Sequence, residues 1–263
     1  MKIATLGENT MARNNSRFLA VLGTTFRHAA LPLLGFALAA TANAGSFQVN
    51  PIRIELAKGT TTAVVTVRND GEEPVVLQSS VLSWTQEGGK DVYASTSEAL
   101  ITPPVMTIVP GAEQIVRVGL RRPADPRTEL AYRVFLQEVP PPPKPGFTGL
   151  QVALRVGIPM FVAPVAAPAV RKLDWSAVMG ADGAIQLVAQ NPGNAHVQIT
   201  DLELRVQDAS EPIAHESTLA YVLAGQRREW SLPAAPRAKS ASELRLKAST
   251  DAGEVDTAVR LDR

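Results

Sequence analysis

The chain has 263 residues, 19% of them charged and 5% aromatic, with 26 Lys and Arg against 25 Asp and Glu and no cysteine. A formal net charge of +1 supplies no basic field to recruit nucleic acid or anionic lipid. The absence of cysteine excludes disulfide frameworks, thiolate metal sites and cysteine nucleophiles.

Residues 1–44 read as an export signal. Lys2, Arg13, Arg17 and Arg27 form a basic region, the apolar run Ala29 to Ala40 follows, and Ala42-Asn43-Ala44 offers a small-x-small cleavage site. The apolar core is shorter than the roughly 20 residues of a bilayer-spanning helix, so cleavage after Ala44 is expected, with Met1 or Met11 as the start. Four basic residues and one acid, Glu8, leave with the signal, a change of three that takes the net charge from +1 to −2 over the remaining 219 residues.

After Ala44, apolar residues recur with a period of two in short runs and hold no helical period, which predicts an all-β chain. Strands are expected at Ile52, Ile54 and Leu56; at Ala63, Val65 and Val67; over Val75 to Leu82; over Ile115 to Leu120; at Tyr132, Val134 and Leu136; and over Leu150 to Val162. Asn69-Asp70-Gly71, Gly88-Gly89, Pro110-Gly111 and Pro123 to Pro126 supply turn chemistry between them. Ala163-Pro164-Val165-Ala166-Ala167-Pro168 suits a short stiff linker. A second set of runs follows, from Ile185 and Leu187 to Val255 through Leu261. At roughly 100 residues per immunoglobulin-like sandwich, this length predicts two domains, 45–164 and 165–263, with one large barrel as the alternative.

Within Leu150 to Val162, the apolar residues Leu150, Val152, Leu154, Val156 and Ile158 share one face. Periodicity alone leaves two readings open: the face packs into its own core, or it meets another chain. The segment before it, Pro140-Pro141-Pro142-Pro143-Lys144-Pro145-Gly146, cannot enter a sheet because proline lacks a backbone donor. It is a loop that leads a final strand to the sheet edge beside the linker, where its backbone can meet a partner.

Several segments together resemble the pilus-assembly chaperones of the chaperone-usher pathway, the PapD-like family, and the pattern fits a divergent branch. Leu150-Gln151-Val152-Ala153-Leu154-Arg155, followed by Ile158-Pro159-Met160-Phe161, is similar to the family's donor strand. Ile101-Thr102-Pro103-Pro104, Gln114 to Val118 and Phe135 to Pro140 resemble its other first-domain segments, and Gln190 to Asn194 and Val222 to Gln226 resemble two second-domain turns. The resemblance implies two immunoglobulin-like β-sandwich domains in a boomerang. It also implies periplasmic localisation, fimbrial (pilus) subunits and an outer-membrane usher as partners, and donor-strand complementation with Leu150, Val152, Leu154, Val156 and Ile158 in the subunit's groove. The exposed edge strand suits self-association when empty. The family anchors the subunit's terminal carboxylate with two cations, and Arg53, read as opposite an inward Ile52 and Ile54 face, matches the first. Pro159 stands where the second, a lysine, is expected, so Arg133 or Arg155 is the candidate replacement, with Arg133 preferred. Ala163 stands where the family has a linker arginine, which puts its interdomain ion pair in doubt.

The same residues weigh against an enzyme with a catalytic, metal or cofactor site. His196 and His215 read as isolated surface or turn histidines, and Ser79-Ser80 and Ser95-Thr96-Ser97 lack a nucleophile elbow. The competing reading is a secreted structural or adhesive sandwich, pilin-like or carbohydrate-binding. Trp84, Trp175 and Trp230 are its best residues, and they are dispersed in sequence and read as core or interface residues. A pilin would carry its alternating strand at the mature N-terminus, whereas here the strand is internal.

Overall fold

The structure, a computed structural model, describes residues 47–142, 146, 148–150, 152–206, 209–233 and 236–263. The export signal read over residues 1–44 lies outside them, and no helix among the described residues is long and apolar enough to cross a membrane. In the first half the strands are β1 (Phe47–Asn50), β2 (Ile54–Leu56), β3 (Thr62–Asn69), β4 (Val75–Glu87), β5 (Lys90–Ser95), β6 (Ala99–Thr102), β7 (Val105–Ile108), β8 (Glu113–Leu120), β9 (Leu130–Glu138) and β10 (Arg155–Val162). One sheet runs β1-β3-β8-β6, and the other runs β2-β10-β9-β4-β5 with β7 also paired to β4. The second half holds β11 (Asp174–Met179), β12 (Ile185–Gln190), β13 (Val197–Val206), β14 (Ala214–Val222), β15 (Arg227–Leu232), β16 (Glu243–Thr250) and β17 (Gly253–Asp262), joined in the order β14-β13-β16-β17-β11-β12-β15.

Alternation drives each sandwich. In β9, Tyr132, Val134 and Leu136 are buried while Arg133, Phe135 and Gln137 face outward. The inward set packs against Ile54, Leu56, Val65, Val67, Val116 and Val118 across the first core. A separate core gathers Ile185, Leu187, Ile199, Leu204, Leu244 and Leu246 in the second half. These are two immunoglobulin-like β-sandwiches, each closed over its own apolar interior.

β4 changes the face it buries part-way along. Val75, Leu77 and Ser79 point inward, but Trp84 and Gln86, on the opposite face, are also buried. The cause is the second sandwich. Trp84 and Phe161 from the first half meet Tyr221 and Leu223 from the second in a third apolar cluster. The Gln86 side chain donates to the Tyr221 carbonyl at 2.7 Å and accepts from the Leu223 N–H at 3.0 Å. Asp91 accepts from Trp84 Nε1 at 3.0 Å and from Arg228 Nη1 at 3.2 Å. Glu129 Oε1 accepts from the His196 N–H at 2.9 Å, and His196 stacks on Phe161 with centroids 3.5 Å apart. His196 is therefore wholly buried, not the surface or turn histidine that its sequence surroundings suggest. With Ala163 in the linker, these contacts tie the two sandwiches together.

Gln86→Leu keeps the volume but leaves the Tyr221 carbonyl and the Leu223 amide without partners. It is expected to cost roughly 1 to 3 kcal/mol for each orphaned group. Urea denaturation should show a lowered midpoint or the separation of one transition into two.

Candidate partner-binding edge and cleft

The predicted strand from Leu150 is shorter than the sequence suggests. Regular pairing begins at Arg155, and before it Leu154 still accepts from the Glu138 N–H at 2.8 Å and donates to Glu138 Oε2 at 3.2 Å. That bond fixes the phase of the antiparallel ladder, in which Arg155 stands opposite Gln137 and Val162 opposite Leu130. Even-numbered residues of β10 direct both backbone groups to β9, and odd-numbered ones direct them away. Met160 to Val162 pair on that far side with β2, in parallel, and the Ala163 N–H continues the pairing onto the Leu56 carbonyl at 2.9 Å. Over Arg155 to Gly157 the far side is an open edge, presenting the N–H and C=O of both residues. In the parallel register the Pro159 C=O is the first group on that side taken by β2, from the Ile54 N–H. Proline's missing donor thus falls on the open side and costs β9 nothing.

The five apolar residues of this segment do not share one environment. Ile158 is 1% exposed and belongs to the first core, and Val156 is half-buried against it. Leu154 is half-buried, while Val152 and Leu150 are 54% and 88% exposed. Ile158, and in part Val156, are therefore corrected to the home core. The cause is length: the alternating face is longer than the sandwich beneath it, so its N-terminal half runs past the core.

On the outer face of the same sheet, cations and aromatic rings alternate from the open edge inward. The Arg155 guanidinium lies 4.0 Å from the Phe135 ring centroid, and Phe135 meets Tyr93 edge-on at 5.6 Å. Arg133 lies 5.0 Å from the Trp84 centroid. Arg133 is the cross-strand neighbour of Pro159, so its side chain shares the face on which a residue-159 cation would stand. It is half-buried, and no acid among the described residues stands within ion-pairing distance of it.

Arg53 is also half-buried but already has acid partners. Its Nε contacts Glu55 at 2.9 Å, and its Nη1 reaches Gln198 Oε1 at 3.0 Å and Asp251 Oδ2 at 3.3 Å, so it is already spanned to the second sandwich. The β2 pairing starts only at Ile54, and Ile52, read as inward, is 79% exposed because residues 52 and 53 bend ahead of the strand. Arg53 and Arg133 both act on the Tyr221 phenol: burial raises its pKa, and the two guanidiniums oppose the rise. Burial likewise raises Tyr93, aided by Asp91 and opposed by Arg133 and Arg228.

His215 Nε2 lies 2.8 Å from Asp201 Oδ2, and Ser217 Oγ donates to that same oxygen at 3.3 Å, so the hydroxyl leans on the carboxylate and not on the imidazole. This is not the order of a nucleophile and its base. No group of three or more metal-ligating side chains converges among the described residues. Trp175 and Trp230, dispersed in sequence, stack at 6.1 Å and pack against the second core, and Trp84 lies between the sandwiches.

Residues 46–168 match the family described as pili and flagellar-assembly chaperone, PapD N-terminal domain. No curated protein matches the chain. The fold is similar to a chain of the CsuC–CsuE chaperone–tip adhesion subunit pre-assembly complex from archaic chaperone-usher Csu pili of Acinetobacter baumannii, at 18% identity and TM-score 0.62, covering 83% of this chain and 99% of that one. A chain of the Salmonella enterica SafA pilin–SafB chaperone complex is similar at 21% identity and TM-score 0.57, with coverage of 83% and 97%. The E. coli chaperone DraB is similar at 20% identity and TM-score 0.55, with coverage of 82% and 97%.

Proposed function

We propose that this chain, which belongs through residues 46–168 to the PapD-like pilus-assembly chaperones, is a periplasmic protein that holds an unfinished pilus subunit by adding the open edge of β10 to it. The observation that carries the reading is the coincidence of three features on one short segment. These are unpaired outward backbone groups at Arg155 and Gly157, an apolar tail with Leu150 and Val152 exposed and Leu154 half-buried, and an uncompensated guanidinium at Arg133.

A sandwich lacking its last strand has an open groove and unpaired strand edges. β10 supplies backbone partners, and Leu150, Val152 and Leu154, with what remains exposed of Val156, supply side chains for the groove. Burial contributes roughly 1.5 to 3 kcal/mol for each side chain taken fully from water. Fixing the side chains at the interface and the association itself offset part of that. A bound subunit can thus be held firmly and still yield to the extension of another subunit when it is delivered to an outer-membrane usher. Without cargo, the same edge and apolar tail favour pairing with a second copy.

The direction of the added strand follows from where the edge closes. From the Pro159 carbonyl onward the far side of β10 is taken by β2, and Pro159 has no N–H to meet an incoming carbonyl. A subunit strand that ends beside Pro159 meets neither obstacle, because its last group is a carboxylate. That carboxylate lies within the field of Arg133, with Arg53, which also acts on the Tyr221 phenol, sharing the charge. The subunit's C-terminal segment accordingly runs parallel to β10. Charge-assisted hydrogen bonds to a carboxylate fix its register more sharply than apolar contacts do.

Co-expression with the secreted β-sandwich proteins encoded beside this chain tests the reading. It predicts that one of them, degraded or insoluble alone, is recovered as an equimolar soluble complex. Equal loss of every such protein with and without the chain contradicts it.

A further inference from the structure

We infer that Gly157 is a positioning residue for Arg133, and that its missing side chain sets how the cleft grips the end of a bound strand. The inference rests on the reading of the β10 edge given above. Gly157 stands opposite Phe135, at a pair whose backbone groups point away from each other, the closer of the two kinds of antiparallel neighbour. Arg133, opposite Pro159, is its diagonal neighbour on the same outer face. A Cβ at residue 157 would stand 3.0 Å from Arg133 Nε and 3.1 Å from Phe135 Cε1. Gly157 is not among the glycines with positive φ, so the backbone there does not call for glycine. The side chains above it do.

The consequence falls on Arg133. With no acid to hold it, its guanidinium is placed by packing alone: Trp84 lies beneath the fork at 5.0 Å, and Gly157 leaves the gap through which Nε passes. Phe135 closes the near side, held by Arg155 at 4.0 Å from its ring centroid. A guanidinium is planar and rigid, so a methyl that displaces Nε turns the whole fork away from the edge. Gly157 thus acts through Arg133, presenting it to a terminal carboxylate without touching that carboxylate.

The test uses a short peptide of alternating Val and Thr, with either a free C-terminal carboxylate or a C-terminal amide, binding to the mature protein. A second readout is the fluorescence of Trp84 in the Trp175→Phe/Trp230→Phe background, where it is the remaining tryptophan. Wild type is expected to prefer the acid by about tenfold. Gly157→Ala should bring that preference close to one, as Arg133→Ala does. The double variant should equal Arg133→Ala alone, and the Trp84 emission should change in both single variants without peptide. Retention of the acid preference in Gly157→Ala, or additive losses in the double variant, overturns the inference. If wild type shows no acid preference, or Arg133→Ala keeps it, the anchor reading falls. Trp84 emission then decides the seat, and an unchanged spectrum in Gly157→Ala overturns it. If Gly157→Ala is not recovered folded, Gly157→Ala/Phe135→Leu replaces it, since the ring atom facing the new methyl is gone and the Arg133 contact remains.

Discussion

Val152→Asp is expected to abolish subunit capture and leave the melting temperature unchanged, whereas Ile158→Asp, six residues along the same face, is expected to unfold the first sandwich. The two positions look alike in sequence and differ in what lies beneath them. Val152 is 54% exposed and lies beyond the core, so a charge there meets only water until a subunit's groove must accept it. Ile158 is 1% exposed among Ile54, Val134 and Met160. Truncating such a residue to alanine alone costs about 2 to 5 kcal/mol, and a buried unpaired carboxylate adds a desolvation cost comparable with the whole stability of a domain. Leu154→Glu is an intermediate case, because its carboxylate would stand near Glu138, which already accepts from the Leu154 N–H. Thermal denaturation paired with co-purification separates these outcomes. Wild-type capture by folded Val152→Asp would remove the apolar tail from the binding surface.

Arg133→Ala is expected to weaken subunit binding by about tenfold to a hundredfold, the equivalent of one charge-assisted hydrogen bond of roughly 1.5 to 3 kcal/mol. Arg53→Ala should weaken it less, because the Arg53 guanidinium is already shared among Glu55, Gln198 and Asp251. Arg53→Ala also removes a tie to the second sandwich, so its effect should include a small loss of stability that Arg133→Ala does not show. Titrating each variant with a purified subunit checks both, and amidating or extending the subunit's C-terminus should reproduce the Arg133→Ala loss in the wild type. Equal affinities for wild type and Arg133→Ala would take the carboxylate away from this part of the cleft.

The sequence made the inward-facing residues legible because a half-buried strand imposes a period of two wherever one core lies beneath it. Tyr132, Val134 and Leu136, and Val65 and Val67, fall where that rule puts them. It failed where burial comes from elsewhere. Trp84 and Gln86 are covered by residues more than a hundred positions away, and His196 is buried against Phe161, which no local pattern records. β5, β6 and β7 went unread because they are short and pair at or near sheet edges, where few inward residues repeat. In the site, the strand and its apolar run were visible, but its division between home core and exposed tail depends on where the sandwich ends. That Arg133 stands directly across from Pro159, on the same face, is a matter of register that the sequence alone does not give. Gly157 gave no signal at all, since its role lies in the side chains that cross it.

The most direct measurement of the central claim is backbone amide hydrogen exchange of the protein alone and in complex with a co-purified pilus subunit. The outward N–H groups of Arg155 and Gly157 should exchange freely in the empty protein and become strongly protected in the complex, while those of Val156 and Ile158, already bonded to β9, change little. If a stable complex forms and the Arg155 and Gly157 amides exchange as fast as before, the subunit is held somewhere other than the edge of β10.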